Sequence, residues 1–234
     1  LSDIAILKQW IVAIFLPLEV GLSMIMIVFY YNEHMAYIPQ DFYQQIEKLK
    51  KAGKFTDALK MVNSVLVSDP ENPEALMQIA DIQYQSGEVE KAEKAVDFLL
   101  HTGGDADPMV LYTKGILAME KTQWQDSLSY LQKAIKLTKF ENAEVVRAYA
   151  MAQYWYGNHQ KGIDFLLQAY DINKLDAEIV YNLIQVYTLE HDYKGVRKMV
   201  SYFDKQIKKL QTFDKDIEYY QNKIALYKEF VSDK

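Results

Sequence analysis

Cysteine is absent from the 234 residues. That removes disulfides, thiolate nucleophiles, Cys-ligated zinc and iron–sulfur clusters, and leaves the compartment open. Glycine and proline are scarce, at 9 and 5, which argues against a loop-rich all-β fold and against low-complexity linkers. Basic residues are outnumbered 26 to 32. A nucleic-acid binder needs the opposite excess to neutralise phosphates, so nucleic acid is not an expected partner. Catalytic patterns are missing as well: no HExxH, GxSxG or phosphate-loop motif occurs, and His34, His101, His159 and His191 are scattered. The Gly-rich run after His101 reads as a helix C-cap and connector rather than a metal or phosphate loop. The expectation is a non-enzyme without metal or cofactor. No Asn-x-Ser/Thr site is present, so N-glycosylation is not expected.

What is present is apolar and helical in pattern. Half the residues are hydrophobic and a quarter charged, enough to bury a core. Tyrosine stands out at 18 residues, and its apolar body with a polar tip suits interfaces. One stretch, Trp10 to Tyr31, is almost wholly apolar. As a helix it would span about 33 Å, enough to cross a hydrocarbon core, with Trp10, Tyr30 and Tyr31 at the ends where interfacial aromatics belong. Pro17 predicts a kink. Glu19, in mid-run, would cost about 3 kcal/mol facing lipid, so it is expected to face protein, to pair or to be protonated. Lys8 is the only basic side chain among the first forty residues. It lies too far along a helix to reach Glu19 of its own chain, but a staggered neighbour would bring the two together. Lys8 and the acids after residue 31 orient the segment with its N-terminus in the cytosol and the rest of the chain outside.

The chain opens on Leu1 rather than Met. A processed start just before a retained apolar helix resembles type IV pilins, whose helix is first a membrane anchor and then a filament core. Pro17 and Gly21 match the helix-breaking residues common in that helix. The fifth position, where those proteins carry Glu, is Ala5 here, and Asp3 is the nearest acid. The resemblance covers residues 1–31 and implies assembly through Asp3, Lys8, Pro17, Glu19 and Gly21.

The remainder repeats. Aligning the segments around Gly53 and Gly87 gives a period of 34 residues, and the same frame catches EKTQWQDSLSYL, WYGNHQKGIDFL and EHDYKGVRKMV. The inter-helix turn glycine is Gly53, Gly87 and Gly157, replaced by Thr122 and His191. The small residue where paired helices cross is Ala58, Ala92, Ser127 and Gly162, with Val196 in the fifth unit. These positions resemble the tetratricopeptide repeat, a helix–turn–helix unit that stacks into an α-solenoid. The expected organisation is all-α. An N-terminal hydrophobic helix (1–31) and a short linker (32–38) precede five repeats over 39–213, starting near 39, 73, 108, 143 and 177. A C-terminal capping helix (214–234) with a polar outer face closes the chain.

The repeat resemblance implies a groove lined by the first helix of each unit. The residues in its slots include Met77, Tyr84, Tyr112, Met119, Arg147, Met151, Tyr154 and Tyr181. Only Arg147, together with Asn182 one position from a slot, is similar to the clamp by which some family members hold a carboxylate, so capture of an acidic C-terminus is not expected. A Tyr- and Met-rich groove suits an apolar helix or strand of a partner or of a sister subunit. Two readings follow. One is a structural subunit of an extracellular, pilus-like filament, self-assembling through the N-terminal helix with the repeats outside, at the cell surface after passage through the inner membrane. The alternative is a membrane-anchored scaffold that binds a partner protein in a cell-envelope complex, with the repeats outside the cytoplasm.

Overall fold

The computed structural model describes residues 40–103, 106–212 and 216–232. They form eleven helices: α1 (Gln40–Lys51), α2 (Phe55–Ser68), α3 (Pro73–Gln85), α4 (Val89–His101), α5 (Pro108–Glu120), α6 (Trp124–Leu137), α7 (Ala143–Trp155), α8 (His159–Ile172), α9 (Ala177–Leu189), α10 (Tyr193–Gln206) and α11 (Ile217–Ser232). No strand occurs among the described residues. None of their helices is long and apolar enough to cross a membrane. The apolar run 10–31, the linker 32–38 and the assembly residues Asp3, Lys8, Pro17, Glu19 and Gly21 lie outside the described residues.

Sequence dictates where the helices start. Asn72, Asp107, Asn142 and Asp176 recur at the repeat spacing, and each side chain caps the helix that follows. Asn72 accepts from the amide of Ala75, Asn142 from that of Val145, Asp107 from Met109 and Val110, and Asp176 from Glu178 and Ile179. Each cap satisfies an amide that no preceding turn can reach, worth about 1 kcal/mol. Pro73 and Pro108 occupy the first helical position, where a missing N–H costs nothing.

The turns inside each pair need a left-handed residue. Gly53, Gly87 and Gly157 have φ of 69°, 83° and 101°, and Thr122 and His191 take the same role at 57°. For Thr122, a β-branched residue, that backbone is strained. Thr122→Gly is therefore expected to raise stability by ~1 kcal/mol, and His191→Gly by less, read as shifts in the urea midpoint. An unchanged midpoint for Thr122→Gly would show that the turn relaxes around the side chain.

The chain divides into two compact units, residues 1–88 and 89–234. In the first, α1, α2 and α3 bury Ile46, Ala58, Val62, Ala75 and Ile82. In the second, α4 to α11 share a core that includes Leu111, Leu131, Val145, Leu166, Leu183 and Phe203. The small residues let paired helices approach. Ala58, Ala92 and Ser127 are fully buried. A Cβ on Gly162 would sit 2.8 Å from the backbone nitrogen of Tyr154. In the last pair Val196 is buried, but the close approach is made by its neighbour Gly195, whose added Cβ would lie 2.8 Å from the Tyr187 ring. Gly115, on α5, makes a further such contact with Leu131, at 2.5 Å.

The connector after α10 returns to the start of α9, where the Ala177 amide donates to the Gln211 carbonyl at 2.9 Å. Helix α11 then packs on α9 and α10 through Tyr220, Ile224 and Val231. Its outer face is not purely polar, because Leu226 is 63% and Phe230 42% exposed.

Candidate binding face

The slot residues lie on the first helices α3, α5, α7 and α9. In the first unit Met77 and Tyr84 are half-buried on α3. Beside them the buried Lys50 ammonium pairs with Glu47 on its own helix and Asp81 on α3. Desolvation opposes that charge, but the two carboxylates outweigh it and raise the Lys50 pKa. On α1, burial first and the adjacent Glu74 carboxylate second push the Tyr43 hydroxyl well above its ordinary value.

In the second unit a rule of register emerges. The fifth residue of one first helix meets the second residue of the next. Tyr112 Oη donates to Glu144 Oε1 at 2.7 Å, and Arg147 Nη1 donates to Glu178 Oε1 at 2.9 Å. Arg147 also reaches Asn182 Oδ1 at 3.4 Å. Burial raises the Tyr112 hydroxyl far above its usual range, against the nearby Arg147 charge and with the Glu144 carboxylate. Burial disfavours the Arg147 cation, yet Glu178, Tyr112 and Glu144 reverse that and fix it as charged. Further along, Tyr154 Oη donates to Glu190 Oε1 at 2.7 Å, and His159 Nδ1 lies 2.8 Å from the same oxygen. Burial and then Glu190 push the Tyr154 hydroxyl up to about 12.

The expected groove is thus partly filled from within the chain. Met151 and Tyr154 belong to the core, at 8% and 3% exposure. Tyr181 is covered at the end of the unit, its ring 5.8 Å from Tyr220 and 6.2 Å from Tyr227 of α11. Arg147 is held by carboxylate and amide partners. Tyr112, Ile116 and Met119 remain half-buried and Met109 exposed, an apolar strip along α5. Glu144, Glu178 and Glu190, which hold this face together, were not among the expected site residues. Pro73-Glu74, Ala143-Glu144 and Ala177-Glu178 recur at one place in the repeat, and that recurrence is a signal for Glu144 and Glu178; Glu190, at the C-cap of α9, lies outside it.

Between α4 and α5, Lys114 pairs with Glu93 at 2.9 Å and Asp97 at 2.5 Å, and Lys121 pairs with Glu93 as well. These bonds hold the Glu93 carboxyl below its ordinary 4.5. A lowered folded-state pKa means the unfolded chain binds this proton more tightly. The contribution is complete above the ordinary value and is lost as pH falls through the lowered one. Glu93→Gln is expected to lower the melting temperature at neutral pH, with the gap to wild type closing as pH falls below the ordinary carboxylate range. A gap independent of pH would remove this assignment. No cluster of three or more potential metal-ligating side chains occurs among the described residues.

Comparison with known proteins agrees with this geometry. A tetratricopeptide-repeat family model matches residues 49–112. No curated protein matches the sequence. Among solved structures, TTC0263, a thermophilic tetratricopeptide-repeat protein of Thermus thermophilus, is 20% identical, with 80% of this chain and 97% of that one aligned at a TM-score of 0.65. PilF of Pseudomonas aeruginosa is 14% identical over 70% of this chain and 74% of that one, at 0.61. MamA of Desulfovibrio magneticus is 17% identical over 71% and 92%, at 0.55. At such identities the likeness speaks for the fold, and the described part of the chain has an all-α helical-repeat fold of the tetratricopeptide type.

Proposed function

We propose that the chain is a protein-interaction scaffold tethered to a membrane by residues 10–31, its repeats outside the cytoplasm and engaging a partner in a cell-envelope complex. The observation that carries this reading is the apolar run, joined by a short linker to a helical-repeat scaffold. On the scaffold, the strip Met109, Tyr112, Ile116 and Met119 offers accessible apolar surface for an apolar helix or strand. A second reading, a pilus-like filament subunit, is favoured by Glu19. A lone tether gains nothing from an acid in mid-run, whereas packed helices of neighbouring subunits would supply it a partner.

Electron microscopy of material sheared from cells, labelled by an antibody to the repeats, tests both. The scaffold reading expects label in the membrane fraction, resistant to high salt, and no labelled fibres. Labelled fibres of regular diameter that vanish in Glu19→Gln would establish the filament instead. Label released with the soluble proteins would sink both.

A further inference from the structure

The second helices of the pairs in the second unit carry both signs of charge, in differing balance. Glu90, Lys91, Glu93, Lys94 and Asp97 alternate on α4. Helix α6 has Asp126 with Lys133 and Lys136, and α8 has Lys161 with Asp164 and Asp171. Helix α10 leans strongly to one sign, with Asp204 its single acid. Lys194, Arg197, Lys198 and Lys205 lie on it, and Lys208 and Lys209 follow in the next turn; all six are exposed.

At 3.6 residues per turn the four helical cations fall within an arc of roughly 100° and span about 17 Å. None of the six forms an ion pair among the described residues. The nearby acids are already engaged. Asp192 caps α10 by accepting from the Gly195 amide, and Asp204 is held by Lys228 of α11 at 2.6 Å. Like charges this close repel one another, and in a chain of net charge −6 this face is a local reversal of sign.

The stripe borders a cleft of about 370 Å³ between α10 and α11. Arg197, Ser201, Lys205 and the Asp204–Lys228 ion pair line it, and Val200 and Val231 contribute its apolar part at 8% and 7% exposure. Cations around a small apolar patch fit an extended or helical acidic segment with one small hydrophobic side chain. Carboxylates would answer the stripe, and the apolar group would enter the cleft. A flat array of lipid headgroups would answer the charge but leave the cleft empty.

We propose that the α10–α11 face docks an acidic segment of a partner protein, its carboxylates on Arg197, Lys198 and Lys205 and an apolar anchor against Val200 and Val231. This surface is separate from the α5 strip, and the proposal stands whether or not that strip binds.

The test is fluorescence anisotropy of a labelled glutamate-rich peptide with a central leucine, titrated with the full chain. Arg197→Glu/Lys205→Glu and Ser201→Glu, all at exposed positions, are the variants, with helical circular dichroism as the check on folding. The expected result is binding that weakens with salt, and by at least about tenfold in either variant. No binding, equal binding of the glutamine counterpart peptide, or affinity unchanged in both variants would overturn the proposal. Two parallel arms address other occupants. Flotation with phosphatidylcholine vesicles, with and without phosphatidylglycerol, would overturn it if binding follows the anionic lipid and is lost in the variants. Sedimentation would overturn it if the variants abolish a self-association that blocks the peptide.

Discussion

Arg147→Met is expected to cost about 3 kcal/mol of folding stability, read from the thermal or urea midpoint of the full chain. The charge is paired with Glu178, with its side chain only 11% exposed and that of Glu178 26% exposed. Methionine keeps most of the apolar packing, so the loss isolates the charge. Removing one partner of a nearly buried pair leaves the other uncompensated, which costs about 3 to 5 kcal/mol where burial is complete. The remaining exposure of Glu178 places this case near the lower end. Arg147→Lys should recover only part, because a single ammonium does not reproduce the planar fork that reaches both Glu178 and Asn182. Adding Glu178→Gln to Arg147→Met should restore part of the loss by removing the orphaned acid. If the double variant is no more stable than the single, the carboxylate was never the source of the cost.

Gly162→Ala and Gly115→Ala should both destabilise, and only one should be repairable. At Gly162 the new methyl would meet backbone: the Tyr154 nitrogen at 2.8 Å and the Ala150 carbonyl oxygen at 2.9 Å. Relief requires α7 and α8 to separate, so the cost belongs at the upper end of overpacking, about 3 kcal/mol, less the ~1 kcal/mol by which alanine favours a helix. At Gly115 the clash is with a side chain, Leu131 Cγ at 2.5 Å. Leu131 is fully buried and has nowhere to swing. Trimming it alone leaves a cavity and costs about 2 to 5 kcal/mol. In the Leu131→Ala background, however, Gly115→Ala should become stabilising, since its methyl fills that cavity and adds helix propensity. The double-mutant cycle should show a coupling of about 2 kcal/mol. Additive effects at Gly115 and Leu131 would show that the helices shift apart there as well. No trimming of the Tyr154 side chain should rescue Gly162→Ala.

Features that depend on one local conformation were legible in the sequence. The turn glycines announce a left-handed residue, because it is decided within a few residues. The period then multiplies a weak local signal. What escaped reading depends on which side chains face each other across more than thirty residues. The slot frame treats Arg147 and Tyr154 as surface for a partner, and only packing reveals that Glu178 and Glu190 already occupy them. Gly195 escaped because a one-residue offset from the repeat frame hands its role, on paper, to Val196. Thr122 and His191 were visible as departures from glycine, but their strain is a statement about backbone angles that residue identity alone does not make. The assembly residues Asp3, Lys8, Pro17, Glu19 and Gly21 still rest on sequence.

The Arg147–Glu178 bond is also a portable joint. It links the fifth residue of one first helix to the second residue of the next, and Ala143-Glu144 repeats the dipeptide Ala177-Glu178. A tandem copy of residues 143–176 would therefore set the first Arg147 opposite a second Glu144 and leave the second Arg147 opposite Glu178. The ion pair carries over to such a copy, whereas the Asn182 and Glu190 contacts do not, because Ala148 and Tyr156 stand at those places in α7 and the turn after it.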